Sequence, residues 1–425
     1  MESEIAGWIS VLFRFIPVLA AIMWIGNSLL FTWMELNLIA PPKAEPDPNA
    51  PANPLLGHLD MLHGGGVFHL EKRIIDPNAI PVPLHWFMWQ SYTTWLTGAV
   101  LLVSVFYIHG GAALLDTTKS SLPGTAAIVF SLVGIVGGWV VYDSLWRSKL
   151  KERVTLAIPL SLLLLIAAAI FFNQFFNGRA VYLQIGAMLG SFMSANVFFH
   201  IIRNQKKFMA SLKAGLPHDP NYGKQAKLRS LHNHYMTFPV LFLMLSAHFP
   251  QLTSAERSIP ILAVIIVSLM AVKYFMNSRN HHREWLVSMA GTFCLAVILI
   301  GALLAFPPKE RAFTPVASAG TEPSAPAAPP PGVKAGAKLF VSQGCAACHQ
   351  VGSSQLGPSL QAVHGSTRIL SDGTRVVATD AYLRNSILLS QSQVVKGYPP
   401  AMPSFSHLDP AQVDDLGQAP LAGSP

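Results

Sequence analysis

The sequence predicts an all-α protein in two parts: a polytopic bundle of about eight membrane-spanning helices over residues 1–306 and a small all-α soluble domain over 335–425, joined by a Pro/Ala-rich linker at 307–334. Three observations carry this. Of the 425 residues 51% are apolar and 12% charged, with a mean hydropathy of +0.42, whereas soluble domains are close to a quarter charged. Apolar runs of the length needed to cross about 30 Å of hydrocarbon recur up to residue 306. Past that point the composition turns abruptly to Pro, Ala and Ser, which makes an extended tether, and then to an ordinary soluble mixture. Disorder of the whole chain needs low hydrophobicity and is excluded.

The apolar runs lie near 8–31, 86–108, 124–146, 154–176, 181–202, 236–250, 258–276 and 285–306. The first follows an acidic leader, Met1-Glu2-Ser3-Glu4, with no small-residue cleavage site after it, and is read as a retained helix rather than a secretory signal. Trp8, Trp86, Trp89, Trp139, Trp146 and Trp285 fall toward run ends, where amphipathic rings favour the membrane interface. The sixth run is the weakest, being short and holding Pro239 near its start. In the fifth, Gly186, Gly190 and Ser194 at four-residue spacing point to a close helix-packing seam.

Lys and Arg in the connections set the orientation. The side that holds the N-terminus carries only Lys119, Arg179 and Arg257, and the opposite side carries sixteen basic residues, among them Lys72, Arg73, Lys224, Lys227 and Arg229. The basic side is therefore expected in the cytoplasm, with the N-terminus and the C-terminal domain on the outer side of the membrane. The same asymmetry absorbs most of the net charge of +8, so no nucleic-acid partner is expected.

The soluble part contains Cys345-Ala346-Ala347-Cys348-His349. Two thiols three positions apart can each add to a haem vinyl group, with the adjacent imidazole held beneath the iron, which is the c-type attachment motif. A redox dithiol would want a strand–helix unit around it and zinc a second ligand pair, and neither is present. Met402, in Gly397-Tyr398-Pro399-Pro400-Ala401-Met402-Pro403, is the only methionine of this part and is preferred to His364 or His407 as sixth ligand, since Met/His ligation suits an electron carrier. With Gly344 and Leu356-Gly357-Pro358, the stretch resembles a class I cytochrome c. That family implies support of the proximal histidine by the Pro358 region and a last helix packed on the first. Here Asp409-Pro410-Ala411-Gln412-Val413-Asp414-Asp415-Leu416 opens a well-capped helix that is expected to stop at Gly417. The remaining cysteine, Cys294, lies in the eighth run and reads as a buried small hydrophobe.

Polar side chains in lipid point to function, and Arg14, Glu35, His63, His69, His85, His109, Asp143, Asn196, His200, His232, His234 and His248 lie in or near the runs. For each, a shallow or interfacial position is the bland alternative. Two stacked membrane haems do not fit, because His234 and His248 are separated by roughly 21 Å of helix and His85 and His109 by roughly 36 Å. One b-type haem between His109 and His248 stays geometrically open as a relay. The first long cytoplasmic connection contains His63-Gly64-Gly65-Gly66-Val67-Phe68-His69-Leu70-Glu71-Lys72-Arg73. Its glycines would let the backbone approach a ligand, and the alternative is a plain loop whose basic residues face the headgroups. An esterase oxyanion hole is excluded, because no GxSxG elbow exists in the chain.

That segment, with Leu84-His85-Trp86-Phe87-Met88-Trp89-Gln90, Ala195-Asn196-Val197-Phe198-Phe199 and Gly223-Lys224-Gln225-Ala226-Lys227-Leu228-Arg229-Ser230-Leu231-His232-Asn233-His234-Tyr235, resembles the bacterial membrane-bound urate oxidases. In that family an eight-helix membrane part is fused to a C-terminal cytochrome c. The resemblance implies conversion of urate to 5-hydroxyisourate with water as oxygen source, the electrons passing to the cytochrome and on to a cytochrome oxidase or a soluble acceptor. Candidate catalytic residues are His63, Glu71, Arg73, His232 and His234, with the histidines taking protons and the basic collar favouring an anion. A cytoplasmic substrate and an outer haem would be separated by about 30 Å of hydrocarbon, so either the substrate site is deep in the bundle or a second redox centre intervenes. The rival reading is a non-catalytic, membrane-anchored cytochrome c that accepts electrons from a quinol dehydrogenase.

Overall fold

Helix α5 (Gly178–Ala195) is the axis of the membrane part, and its sequence explains why: eleven of its eighteen residues are buried, against Ala296 alone in the last helix of the bundle, α10 (Trp285–Ala305). The computed structural model describes residues 2–41, 54–76 and 80–305, short loop breaks excepted, and parts of 335–418. The linker at 307–334, His109, His407 and the prolines flanking Met402 lie outside the described residues.

On α5 pack α2 (Trp89–Leu102), which continues as a π-helical turn over Val103–Tyr107, α3 (Gly124–Arg147) and α4 (Val154–Asn173), while α1 (Glu2–Leu36) packs on α2. A second π segment, Asn196–Ile202, extends α5 into α6 (Arg203–Lys213). Then follow α7 (Asn221–Leu245), a single turn α8 (Pro250–Thr253) and α9 (Ser258–Asn277), which packs on α7 and α10. Among the described residues six helices are long and apolar enough to cross a membrane: Leu12–Leu36, Gly124–Arg147, Val154–Asn173, the continuous Gly178–Lys213, Ser258–Asn277 and Trp285–Ala305. The second and sixth runs of the sequence are also helical, as α2 and α7. The two most apolar helices are little covered by protein; only 6% of the α10 window and 17% of the α4 window are buried. A helix that is hydrophobic all round and largely uncovered by protein is suited to face lipid. Cys294 is exposed on α10 rather than buried, for the same reason.

The start of α5 is fixed by Asn177, whose side chain accepts from Ala180 N–H (2.9 Å) and donates to the Ala113 carbonyl (2.9 Å). This single residue caps the helix and ties it to the preceding connection. At Gly186 a Cβ would come within 3.0 Å of Leu243, so the expected seam exists there against α7. It does not run on as one line, because Gly190 meets nothing and the Ser194 hydroxyl faces the Ser91 carbonyl on α2. Trp146 is buried, and its indole N–H donates to Ser161 (3.0 Å), so it serves the core rather than the interface.

The first long connection is not a plain loop. Strands β1 (Leu55–His63) and β2 (Gly66–Arg73) pair antiparallel, with Met61 opposite Phe68 and His63 opposite Gly66. Between them Gly64 (φ +60°) and Gly65 (φ +80°) form the two-residue turn, a geometry that needs positive φ at both positions. The glycines therefore build a hairpin. Glu35 at the end of α1 accepts from Lys72 and Lys227 (both 3.1 Å), linking the hairpin base to α7.

Among its described residues the soluble domain has a short hairpin, β3 (Thr367–Ile369) with β4 (Arg375–Val377), and the helices α11 (Asp380–Leu388) and α12 (Pro410–Gln418) besides a first helical stretch with residues 335–337 and 339–340. Asp409 and Gln412 cap α12 reciprocally, side chain to backbone N–H, at 2.8 and 3.1 Å. The helix runs through Gly417 rather than stopping at it. Val413 and Leu416 are buried together with Phe405 and Leu408, and Leu339 and Phe340 of the domain's first helical stretch pack on them. Nine residues are enough to close last helix on first.

Candidate functional site

In the soluble domain, Cys348 N–H and His349 N–H both donate to the Cys345 carbonyl (3.1 and 2.9 Å), a tight turn that sets the two thiols and the imidazole side by side. His349 Nδ1 donates to the Pro358 carbonyl at 2.9 Å. That bond fixes the tautomer and leaves Nε2 as the lone-pair nitrogen a metal needs. Gly357 permits it, since a Cβ there would stand 3.0 Å from both the Cys348 carbonyl and the His349 ring. Burial pushes both thiols up, Cys345 to about 12, whereas the nucleophile of a redox dithiol is a thiolate. Met402 and Cys345 pack on one apolar cluster, and the Met402 carbonyl is held by the Ser390 hydroxyl (2.8 Å). The donor set, with an imidazole nitrogen, a thioether and two thiols on a dry wall, fits a c-type haem.

In the membrane part the structure brings together residues the sequence scatters. Asp143 on α3 accepts from Arg229 Nη2 of α7 and from His200 Nε2 of the π segment, both at 2.6 Å. One residue earlier, the Tyr142 hydroxyl lies 2.7 Å from His232 Nδ1 and receives the Asn196 amide at 3.0 Å. Because Asn196 Nδ2 donates, the Tyr142 proton is free to go to His232, whose Nδ1 must then be the acceptor. Asn196 Nδ2 also donates to Asn233 (2.8 Å), and Asn233 donates to the Met193 carbonyl (2.9 Å). Trp146 packs edge-on against His232 at 4.1 Å, Phe192 stacks on Tyr142 at 5.2 Å, and the Arg229 guanidinium lies over the Tyr142 ring at 5.1 Å. Arg229 is 3% and Asn196 0% exposed, yet Arg229 Nη1 and Asn196 Oδ1 have no partner.

The sequence-derived candidates separate into three places. His63, Glu71 and Arg73 are on the exposed hairpin; Arg73 Nε donates to Glu71 (2.8 Å), and the neighbouring His69 bonds Asp60 (2.7 Å). His232 joins the Tyr142 cluster. His234, two residues on, is buried against Asn277 of α9 (3.0 Å) and Thr32 of α1 (3.4 Å). His248 is exposed at the end of α7. Tyr142 and Asn233 were not among the sequence candidates. A tyrosine in an apolar run reads as core, and the signal available was the four-residue spacing of Asn196 with His200 and of Arg229 with Asn233, which puts each pair on one helix face. Among the described residues no group of three or more His, Cys, Asp or Glu side chains is placed to hold a metal ion.

A helical membrane bundle with a buried polar cluster, carrying a small soluble domain built to attach haem, defines a membrane-associated redox protein. The chain belongs to the urate oxidase N-terminal family, whose model matches residues 3–303, and a cytochrome c model matches residues 333–417. No curated protein matches the chain. The two matches together make it a urate-related oxidoreductase with a c-type haem domain.

Proposed function

We propose that the chain converts urate to 5-hydroxyisourate at the membrane and delivers the electrons singly to its own C-terminal haem. Water supplies the new oxygen at C5, and two electrons and two protons leave. The supporting observation is the fusion itself: a urate oxidase N-terminal domain and a c-type haem domain with an ordered His349–Pro358 cradle occupy one chain. A haem held by Cys345, Cys348, His349 and Met402 supplies a one-electron acceptor, to be reoxidised by a cytochrome oxidase or a soluble acceptor. The protein's own groups bind and orient the anion and the attacking water, and take protons at His232. Hairpin residues Lys72 and Arg73, with Lys224 and Lys227, form part of a cytoplasmic basic collar that attracts it. The soluble domain then stands on the outer face of the inner membrane, and a relay by a b-type haem on His109 and His248 serves only if the substrate stays near the collar.

The test is to block the terminal oxidase in membranes that carry the protein. Urate consumption should stop when cyanide is added and should produce no hydrogen peroxide. Continued consumption in air with one peroxide per urate would mean that electrons go directly to oxygen.

A further inference from the structure

We propose that Arg229 Nη1 and Asn196 Oδ1 are the two ends of a buried recognition slot for a planar anionic heterocycle that carries amide N–H and C=O groups, and that the Tyr142–His232 pair takes a proton from the molecule bound there. The identity of that heterocycle as urate rests on the proposed function; the slot rests on the geometry.

A buried guanidinium nitrogen and a buried amide oxygen are rarely left open, because each loses its water without gaining a partner. Here both occur in one cluster, on side chains at least 97% covered. Their other atoms are spent. Arg229 Nη2 is committed to the Asp143 carboxylate (2.6 Å) and carbonyl (3.4 Å), and Asn196 Nδ2 to Tyr142 and Asn233. What stays open is one charged donor and one neutral acceptor, both on side chains that touch Tyr142. A carbonyl oxygen of an anionic heterocycle complements the first, and a ring N–H complements the second. Asn196 begins the π segment Asn196–Ile202, and π turns inside α-helices recur at functional sites. Phe192 stacks on Tyr142 and Trp139 packs against both, so the open atoms lie in an aromatic surround.

The hydrogen bonds also give the proton a direction. Tyr142 accepts from Asn196 and donates to His232 Nδ1. A proton leaving a substrate N–H or an attacking water moves to the Tyr142 oxygen as the Tyr142 proton moves to His232, and the imidazolium forms with no net charge on the tyrosine. The charged groups facing this pair are Arg229, Asp143 and His200, with Arg147 at 3.7 Å from Asp143.

The experiment uses the full-length, haem-loaded chain in detergent, with equilibrium dialysis of radiolabelled urate under argon and, separately, the rate at which urate reduces the haem. Arg229→Lys keeps the charge and loses the fork, and should weaken urate binding about tenfold or more. Asn196→Asp places a negative charge at the other end and should weaken it at least as much; it reads the slot even where Arg229→Lys fails to fold. Tyr142→Phe should leave binding within about twofold and slow haem reduction by about 10²-fold, with loss of the pH dependence of the rate. Wild-type turnover with unchanged binding in the Arg229 and Asn196 variants overturns the slot and leaves the oxidase standing. Arg229-dependent binding with no haem reduction in the wild type supports the slot and overturns the oxidase. A wild-type chain that does not bind urate overturns both.

Discussion

His232 and His234 are two residues apart on α7 and face different clusters, the first bonded to the Tyr142 hydroxyl at 2.7 Å and the second to Asn277 at 3.0 Å. At 100° per residue, two steps turn a helix by about 200°, so neighbouring histidines with the same chemistry cannot share a site. His232 sits among open hydrogen-bonding atoms. His234 ties α7 to α1 and α9.

The two histidines should therefore respond differently to the same change. His232→Gln should slow urate-dependent haem reduction by about 10²-fold with haem content intact. His234→Gln should keep the rate within about twofold and lower the thermal midpoint, since leaving its buried partners unpaired costs about 1–3 kcal/mol. Stopped-flow rates and differential scanning calorimetry on both variants check this, and equal rate losses would contradict it.

The hairpin predicts a separation of shape from chemistry. Gly65 sits at φ +80° in the turn, where an L side chain costs about 1–2 kcal/mol, so Gly65→Ala should open the hairpin to limited proteolysis. His63→Ala, on the exposed end of β1, should change the urate-dependent rate by less than about twofold. A large rate loss on His63→Ala would bring the hairpin back into the site.

His69 gives a pH prediction with a definite sign. Its hydrogen bond to Asp60 raises its pKa above the ordinary value, so the protonated imidazolium is favoured in the folded hairpin. The ion pair is fully present below about pH 6.5, and its contribution is lost as pH rises through the raised pKa. A histidine NMR titration should show His69 titrating above free histidine and returning toward it in Asp60→Asn.

In the soluble domain the tight contact at Gly357 is the weak point. Gly357→Ala forces a methyl to within 3.0 Å of the His349 ring, which should displace the imidazole and lower the covalent haem content of purified protein. Full haem loading with an unshifted Soret band in that variant would show that the cradle tolerates the methyl.

Much of this architecture was legible in the chain, for physical reasons that also explain the failures. The apolar runs and the Cys345-to-His349 motif are local patterns; in the structure the first are helices, and in the second His349 is held against the Pro358 carbonyl. The reach of α7 was hidden, because its first half is polar: Arg229, Asn233 and His234 are buried against other helices, a partnership that periodicity does not show. The hairpin was hidden for a related reason. Positive φ serves a ligand loop and a two-residue hairpin turn equally, and only the pairing of β1 with β2 tells them apart. Trp146 sits at a run end, yet Ser161 on the next helix supplies the partner that lets it be buried.

The central claim is that urate is the electron donor to the chain's own haem. The most direct measurement is anaerobic addition of urate to the purified full-length protein while the reduced haem c band is followed. The predicted result is reduction of two haems for each urate consumed. A haem that stays oxidised in excess urate, yet is reduced normally by dithionite, would contradict it.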